Sequence, residues 1–84
     1  MTVQQFYSDE SKWCQDSLED GKGAKCLLGA LSFCYDTKER YTAALAKLVT
    51  AVQAYTGYQS IARFNDDKDT HFSDIRLVIE QAEL

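Results

Sequence analysis

Cys26 is the residue whose sequence neighbours most resemble those of a catalytic nucleophile. It follows Lys25 and opens an apolar segment that we predict to be helical, and both a neighbouring cation and a helix N-terminus favour the reactive thiolate. His71 is the single histidine, and Asn65 or Asp67 could orient its ring, so a cysteine-dependent enzyme would use Cys26 and His71. Free cysteine is, however, among the most buried residue types. We therefore expect Cys26 to be a small core residue and expect no catalytic residue in the chain.

A second candidate is the stretch GKGAKC at residues 21–26, which has the composition of an anion-binding turn. It lacks the spacing G-x-x-x-x-G-K-[ST] of a nucleotide-binding P-loop. The backbone N–H groups at the start of the following helix, together with Lys22, Lys25 and Arg63, would still suit a phosphorylated ligand or nucleotide. The simpler interpretation is a solvated glycine turn that leads into a buried helix.

Metal binding is not indicated by the spacing of the potential ligands. Four residues are of zinc-ligand type: Cys14, Cys26, Cys34 and His71. None of them forms a C-x-x-C or H-x-x-x-H pair. Asn65, Asp67 and Asp69 match the first ligand positions of an EF-hand loop, but Arg76 stands where a bidentate Glu is needed. We expect neither a metal nor a cofactor.

Acidic residues are concentrated in two parts of the chain. Those of the N-terminal third are Asp9, Glu10, Asp16, Glu19 and Asp20, and those of the second group are Asp66, Asp67, Asp69 and Asp74. If the fold brings them onto one face, they would dock on a basic, nucleic-acid-binding surface of another protein. A net charge of -4 argues against direct binding of nucleic acid or of an anionic membrane surface.

The length and composition predict one globular domain over residues 1–84. Hydrophobic residues make up 45% of the chain, which is typical of a folded protein, but a chain of 84 residues buries a small core, and this leaves homodimerisation open. No apolar run approaches the roughly 18 residues of a membrane span. The odd number of cysteines, 3, and the lack of an export signal predict reduced thiols and a cytoplasmic protein.

The hydrophobic pattern predicts mainly helices. A helix is expected over residues 37–55, with Asp36 and Glu39 as a capping box and Gly57 as its C-terminal cap. Its buried face is expected to consist of Tyr41, Ala44, Leu45, Leu48, Val52 and Tyr55. A second helix is expected from residue 69 or 70 to the C-terminus, with a buried stripe of Phe72, Ile75, Val78, Ile79 and Ala82.

The remaining segments are predicted to form a central helix, a short helical turn and an N-terminal hairpin or helix. Residues 26–35 are apolar on nearly every side and indicate a central helix, in which Gly29 suggests the close approach of another backbone. Residues 60–65 indicate a short helical turn capped by Ser60. Residues 13–17 and 24–26 could pair as a short hairpin, or Ser8 could cap a helix through Ser17, and we prefer the hairpin.

Three short motifs follow one another along the chain: W-x-Q at residues 13–15, C-L-x-G-A-L at residues 26–31 and S-I-x-x-F-N-D at residues 60–66. Their order resembles a family of small proteins of unknown function from bacteriophages and actinobacteria, whose motifs are W-x-Q-G, C-L-x-G-A-L and S-I-x-x-W-N-D. The chain departs from them at Asp16, where Gly is expected, and at Phe64, where Trp is expected. The resemblance implies a compact helical fold in which the last two motifs meet, and a phage-encoded protein.

We conclude that the sequence predicts a small, non-enzymatic binding protein that modulates or inhibits a host protein, such as a defence or regulatory factor. It would act through an acidic and aromatic surface. The residues expected to bind are Trp13, Asp16, Glu19, Asp20, Lys22, Lys25, Arg63, Asn65, Asp66 and Asp67. The alternatives are a binder of phosphorylated small molecules and a cysteine-dependent enzyme.

Overall fold

The computed structural model describes residues 1–84 and is mainly α, as predicted. Its five helices are α1 (Val3–Phe6), α2 (Leu27–Cys34), α3 (Lys38–Thr56), α4 (Ile61–Asp66) and α5 (Phe72–Gln81). A single 3-10 turn, Glu10–Lys12, lies between α1 and α2, and there is no β-strand. The fold therefore depends on helix packing together with one long connection, residues 13–26, which we call the 13–26 loop.

Local capping sets the boundaries of the three C-terminal helices. Helix α3 is capped by Thr37, whose hydroxyl accepts from the backbone N–H of Arg40 at 3.2 Å, one residue after the predicted cap at Asp36. It ends at Gly57, whose φ of 80° is the left-handed conformation that glycine adopts without strain. Helix α4 is capped by Ser60 as predicted, whereas α5 begins at Phe72 rather than at residue 69 or 70.

Helix α2 lies at the centre of the core and contacts α1, α3 and α4. Leu27, Ala30 and Leu31 are fully buried, but Phe33 is 58% exposed, so the prediction that α2 is covered on nearly every side is wrong at this position. The Phe33 ring lies 5.6 Å from the ring of Phe6, at the edge of the core. The small N-terminal helix α1 is too short to cover it.

The predicted buried stripes of α3 and α5 are largely confirmed. Ala44, Leu48 and Val52 of α3, and Ile75, Val78 and Ile79 of α5, all belong to the core. Tyr55 is the exception, because it is 55% exposed and lines an open groove beside Ala51 and Ala82 that no other element covers.

The N-terminal third forms neither the preferred hairpin nor the alternative helix from Ser8 to Ser17. Lys25 instead pairs with two separate parts of the loop, in a parallel bridge to Trp13 and an antiparallel bridge to Glu19. The hydroxyl of the fully buried Tyr7 donates to the carbonyl of Lys25 at 2.6 Å. The 13–26 loop thus folds back on itself, and the hydrogen bond from Tyr7 attaches it to the core.

The close backbone approach predicted at Gly29 is confirmed. A Cβ at this position would lie 2.4 Å from the carbonyl oxygen of Leu18 in the 13–26 loop. The same carbonyl accepts from the backbone N–H of Cys26 at 3.1 Å, so it cannot move away without losing that hydrogen bond. Glycine is required here because α2 and the loop share this space.

We expect Gly29→Ala to destabilise the protein by about 1–3 kcal/mol, because overpacking against a backbone atom outweighs the better helix propensity of alanine. Urea unfolding followed by circular dichroism measures this change. Ser32→Ala, at an exposed position of the same helix, is the control and should change the free energy of unfolding by less than about 0.5 kcal/mol. If Gly29→Ala and the wild type had equal free energies of unfolding, the carbonyl of Leu18 would be able to move away from α2.

Candidate functional site

The side-chain amide of Asn65, at the end of α4, is buried and has every hydrogen-bonding position occupied. Its Oδ1 accepts from Trp13 Nε1 at 2.8 Å and from the backbone N–H of Leu27 at 3.0 Å. Its Nδ2 donates to the carbonyl of Cys14 at 3.1 Å and to Asp66 Oδ1 at 2.8 Å. Asn65 and Trp13, both predicted to bind a partner, therefore hold the protein together, and the amide of Asn65 has no position left for a ligand.

A second set of bonds ties the 13–26 loop to the end of α4. Gln15 Nε2 donates to the carbonyls of Asn65 and Asp67, at 3.0 and 2.9 Å. The backbone N–H of Asp16 donates to Asp66 Oδ1 at 2.9 Å. Asp16 has a φ of 68°, a left-handed conformation that aspartate adopts more readily than most residues and that glycine adopts freely. The predicted meeting of the C-L-x-G-A-L and N-D motifs is confirmed by the hydrogen bond from the backbone N–H of Leu27 to Asn65 Oδ1 and by the packing of α2 against α4.

These contacts place acids of the two acid-rich groups side by side. We call Asp16, Asp66, Asp67 and Asp69 the acidic face. Asp16, Asp66 and Asp69 are exposed, and Asp67 Oδ1 accepts from the backbone N–H of Asp69 at 2.8 Å. The hydroxyl of Tyr58 donates to Asp67 Oδ2, and this hydrogen bond lowers the pKa of the Asp67 carboxyl. Lys68 is the one basic residue within the segment 66–69.

The other predicted acids serve local structure. Asp20 Oδ1 accepts from the backbone N–H groups of Lys22 and Ala24, at 2.7 and 3.0 Å, and this turn lowers the pKa of the Asp20 carboxyl. Glu19 forms an ion pair with Lys25 at 2.9 Å. Their charges are therefore partly compensated within the 13–26 loop.

A small cavity of about 210 Å³ opens beside the acidic face. Its walls are apolar and its rim is acidic, formed by Leu18, Leu28, Ile61 and Ala62 together with Asp16 and Asp66. Leu18 is 65% exposed, which is unusual for a large apolar side chain. Sequence reasoning missed these four apolar residues, since Leu28 and Ile61 looked like ordinary core positions. The only sequence signal was an isolated Leu18 within an acidic segment.

The structure does not bring Cys26 and His71 into a common site. Cys26 is 8% exposed and caps α2, where its Sγ accepts from the backbone N–H of Gly29 at 3.4 Å. His71 is exposed at the start of α5 and lines a different cavity, next to Trp13 and Arg76. No hydrogen bond joins these residues to one another, so a cysteine–histidine mechanism gains no support from the geometry.

The predicted anion site at residues 21–26 also gains no support. Lys25 Nζ is paired with Glu19 and lies 5.0 Å from the centre of the Phe33 ring. The backbone N–H of Leu27, in the first turn of α2, already donates to Asn65. Lys22 is exposed, and Arg63 is exposed on α4 without an ion pair.

Three further observations concern the cysteines, the groups that could bind a metal and the helices. All three cysteines are free, and burial raises the pKa of the Cys14 and Cys34 thiols. No group of three or more His, Cys, Asp or Glu side chains has the arrangement of a metal site. None of the helices combines the length and the apolar character needed to cross a membrane.

Replacement of Asn65 tests whether its amide is structural. In Asn65→Ala the indole N–H of Trp13 and the backbone N–H of Leu27 both lose their acceptor, and each buried donor left unpaired costs about 1–3 kcal/mol. We expect the free energy of unfolding in urea to fall by about 2–4 kcal/mol. Gln59→Ala, which removes an exposed amide, is the control. A loss no larger than that of the control would contradict the central role of Asn65.

The bond between Tyr58 and Asp67 predicts a specific pH dependence. A carboxyl with a lowered pKa stabilises the fold fully above its ordinary pKa of 3.8, and this stabilisation is lost as the pH falls through the lower value of the folded state. Tyr58→Phe removes the main cause of that shift. Between about pH 5 and about pH 2 the variant should therefore lose less stability than the wild type.

Urea unfolding at each pH provides the measurement for this comparison. Tyr55→Phe is the matched control, because Tyr55 is exposed and its hydroxyl makes no hydrogen bond. Parallel pH profiles for Tyr58→Phe and the wild type would show that the hydrogen bond does not set the acid response.

Comparison with known proteins places the chain in one sequence family. The sequence model of a family of unknown function, DUF6197, matches residues 7–83, which include the 13–26 loop and all of α2 to α5. No curated protein and no solved structure matches the chain. The match covers nearly the whole chain, and the chain therefore belongs to the DUF6197 family of unknown function.

Proposed function

We propose that this protein is a non-enzymatic binding protein whose acidic face docks on a basic surface of another protein. The observation that carries the proposal is the hydrogen bond from the backbone N–H of Asp16 to Asp66 Oδ1, which joins two acid-rich segments lying 50 positions apart. With the net charge of -4, this concentrates negative potential on one side of a small domain.

The segments that carry the acidic face are joined by hydrogen bonds, which supports a role in recognition. Its carboxylates repel one another and would move apart if the two chain segments were free to separate. Gln15 and Asn65 hold the segments together through buried or half-buried hydrogen bonds. A preorganised charged surface loses little conformational entropy on binding and accelerates encounter with a basic partner.

The proposed partner is a host protein that binds nucleic acid, because such proteins carry the basic surfaces that fit an acidic face. The resemblance to phage proteins supports a phage-encoded modulator or inhibitor of a host defence or regulatory factor. The three free cysteines suit a reducing compartment, so we place its action in the host cytoplasm. A homodimer would present two such faces and is compatible with the small core.

Affinity capture from host lysate, with proteins and small molecules identified by mass spectrometry, tests the proposal. Asp66→Asn with Asp69→Asn removes two charges from the acidic face, and the asparagine Oδ1 can still accept the bonds from Asp16 and Asn65. Asp36→Asn with Glu80→Gln removes the same charge elsewhere and serves as the control. Capture at roughly 50 mM and roughly 200 mM salt reports the electrostatic contribution.

We expect one host protein to be retained at low salt by the wild type and the control, and at least fivefold less by the acidic-face variant. Equal retention by both double variants, or no retained protein, would overturn the proposal. A phosphorylated compound that elutes without any protein would favour a small-molecule binder instead.

A further inference from the structure

We propose that the cavity beside the acidic face binds one basic side chain, preferably arginine, of the docked partner. This inference rests on the proposed function, since the partner supplies the side chain. We call the cavity the basic-residue pocket; its lining includes Leu18, Leu28, Ile61, Ala62, Asp16 and Asp66. A side chain bound in this pocket would fix the position of the partner, whereas charge attraction alone would only orient it.

The size and lining of the pocket fit a single side chain. Its volume of about 210 Å³ lies below the roughly 300–1,000 Å³ of typical small-molecule sites. The apolar walls suit the methylene groups of a lysine or arginine, which pack on apolar surface while the charged end stays at a polar rim. A purely aliphatic side chain would leave the rim carboxylates desolvated, and a small anion would be repelled.

The carboxylates at the rim lack a positive partner within the protein. Asp66 Oδ1 is occupied by the backbone of Asp16 at 2.9 Å and by Asn65 Nδ2 at 2.8 Å, while Asp66 Oδ2 and the carboxylate of Asp16 accept no hydrogen bond. No lysine or arginine lines the pocket. Asp66 Oδ1 is thus fixed by the fold, whereas Asp66 Oδ2 and the carboxylate of Asp16 remain free to bind a cation.

Leu18 marks the edge of the pocket that a partner would cover. Its side chain is 65% exposed, but its backbone is fixed, because its carbonyl accepts from Cys26 and contacts Gly29. An exposed leucine held rigidly next to unpaired carboxylates is typical of a contact surface with an apolar centre and a charged rim. Arginine is preferred to lysine because its planar fork can reach two carboxylates at once.

The first experiment uses the whole chain and short peptides followed by ¹⁵N heteronuclear NMR. The probe is acetyl-Gly-Arg-Gly-amide, compared with peptides that carry lysine, citrulline or norleucine in place of arginine. Citrulline has the shape of arginine without the charge, and norleucine has the aliphatic stem alone. We expect saturable shifts of Leu18, Leu28, Ala62 and Asp66 with arginine, weaker ones with lysine, and none with the neutral peptides. Equal shifts with citrulline, or none with arginine, would overturn the inference.

Two variants separate the pocket from general charge attraction. Ala62→Phe fills the pocket without a change of charge, at a position that is exposed on α4 and so tolerates a larger side chain. Asp66→Asn removes a rim charge, and Asp36→Asn removes one elsewhere. We expect affinity for the arginine peptide to fall at least fivefold in Ala62→Phe and in Asp66→Asn, and to stay unchanged in Asp36→Asn. Undiminished binding by Ala62→Phe would place the peptide outside the pocket.

The two proposals fail in different ways. If neutralising the acidic face abolishes capture of a host protein while Ala62→Phe captures it normally, the pocket is wrong and the docking face stands. If the arginine peptide binds in the pocket but no host protein is retained, the pocket stands and the docking proposal fails.

Discussion

The fully bonded amide of Asn65 is the interaction on which the rest of the structure depends. It joins the 13–26 loop, the first turn of α2 and the end of α4 through four hydrogen bonds. A buried amide that lost these partners would remain unsatisfied, so alternative arrangements of the loop are strongly disfavoured. In a chain with no strands and no disulfide, this amide fixes a segment that hydrophobic burial alone would leave loose.

The same interaction determines the electrostatics of the surface. By fixing Asp66 Oδ1, the Asn65 amide and the Asp16 backbone place the carboxylates of Asp16 and Asp66 at one edge of the basic-residue pocket. Asp66 Oδ1 accepts both of its hydrogen bonds from N–H groups of the protein. The fold therefore keeps these two acidic residues adjacent.

The parts of the fold that could be predicted from the sequence are those with local causes. Thr37 lies one residue from the predicted cap of α3, and Gly57, Ser60 and the stripes of α3 and α5 follow from spacing within one helix. The 13–26 loop could not be predicted in this way. Its defining hydrogen bonds join residues 38 to 52 positions apart, and the buried amide at their centre leaves no periodic signal. For the same reason the sequence did not reveal that Trp13 and Asn65 hydrogen-bond to each other.

The polar groups that the Asn65 network uses differ from the groups that it leaves free beside the cavity. Trp13, Gln15 and Asn65 direct their polar groups at other parts of the same protein, so they hold the shape of this region. The groups that the network leaves free are the Leu18 side chain, Ala62 and the outer oxygen of Asp66. Substitutions at these positions would change the surface of the cavity while the Asn65 network, and with it the fold, stays intact.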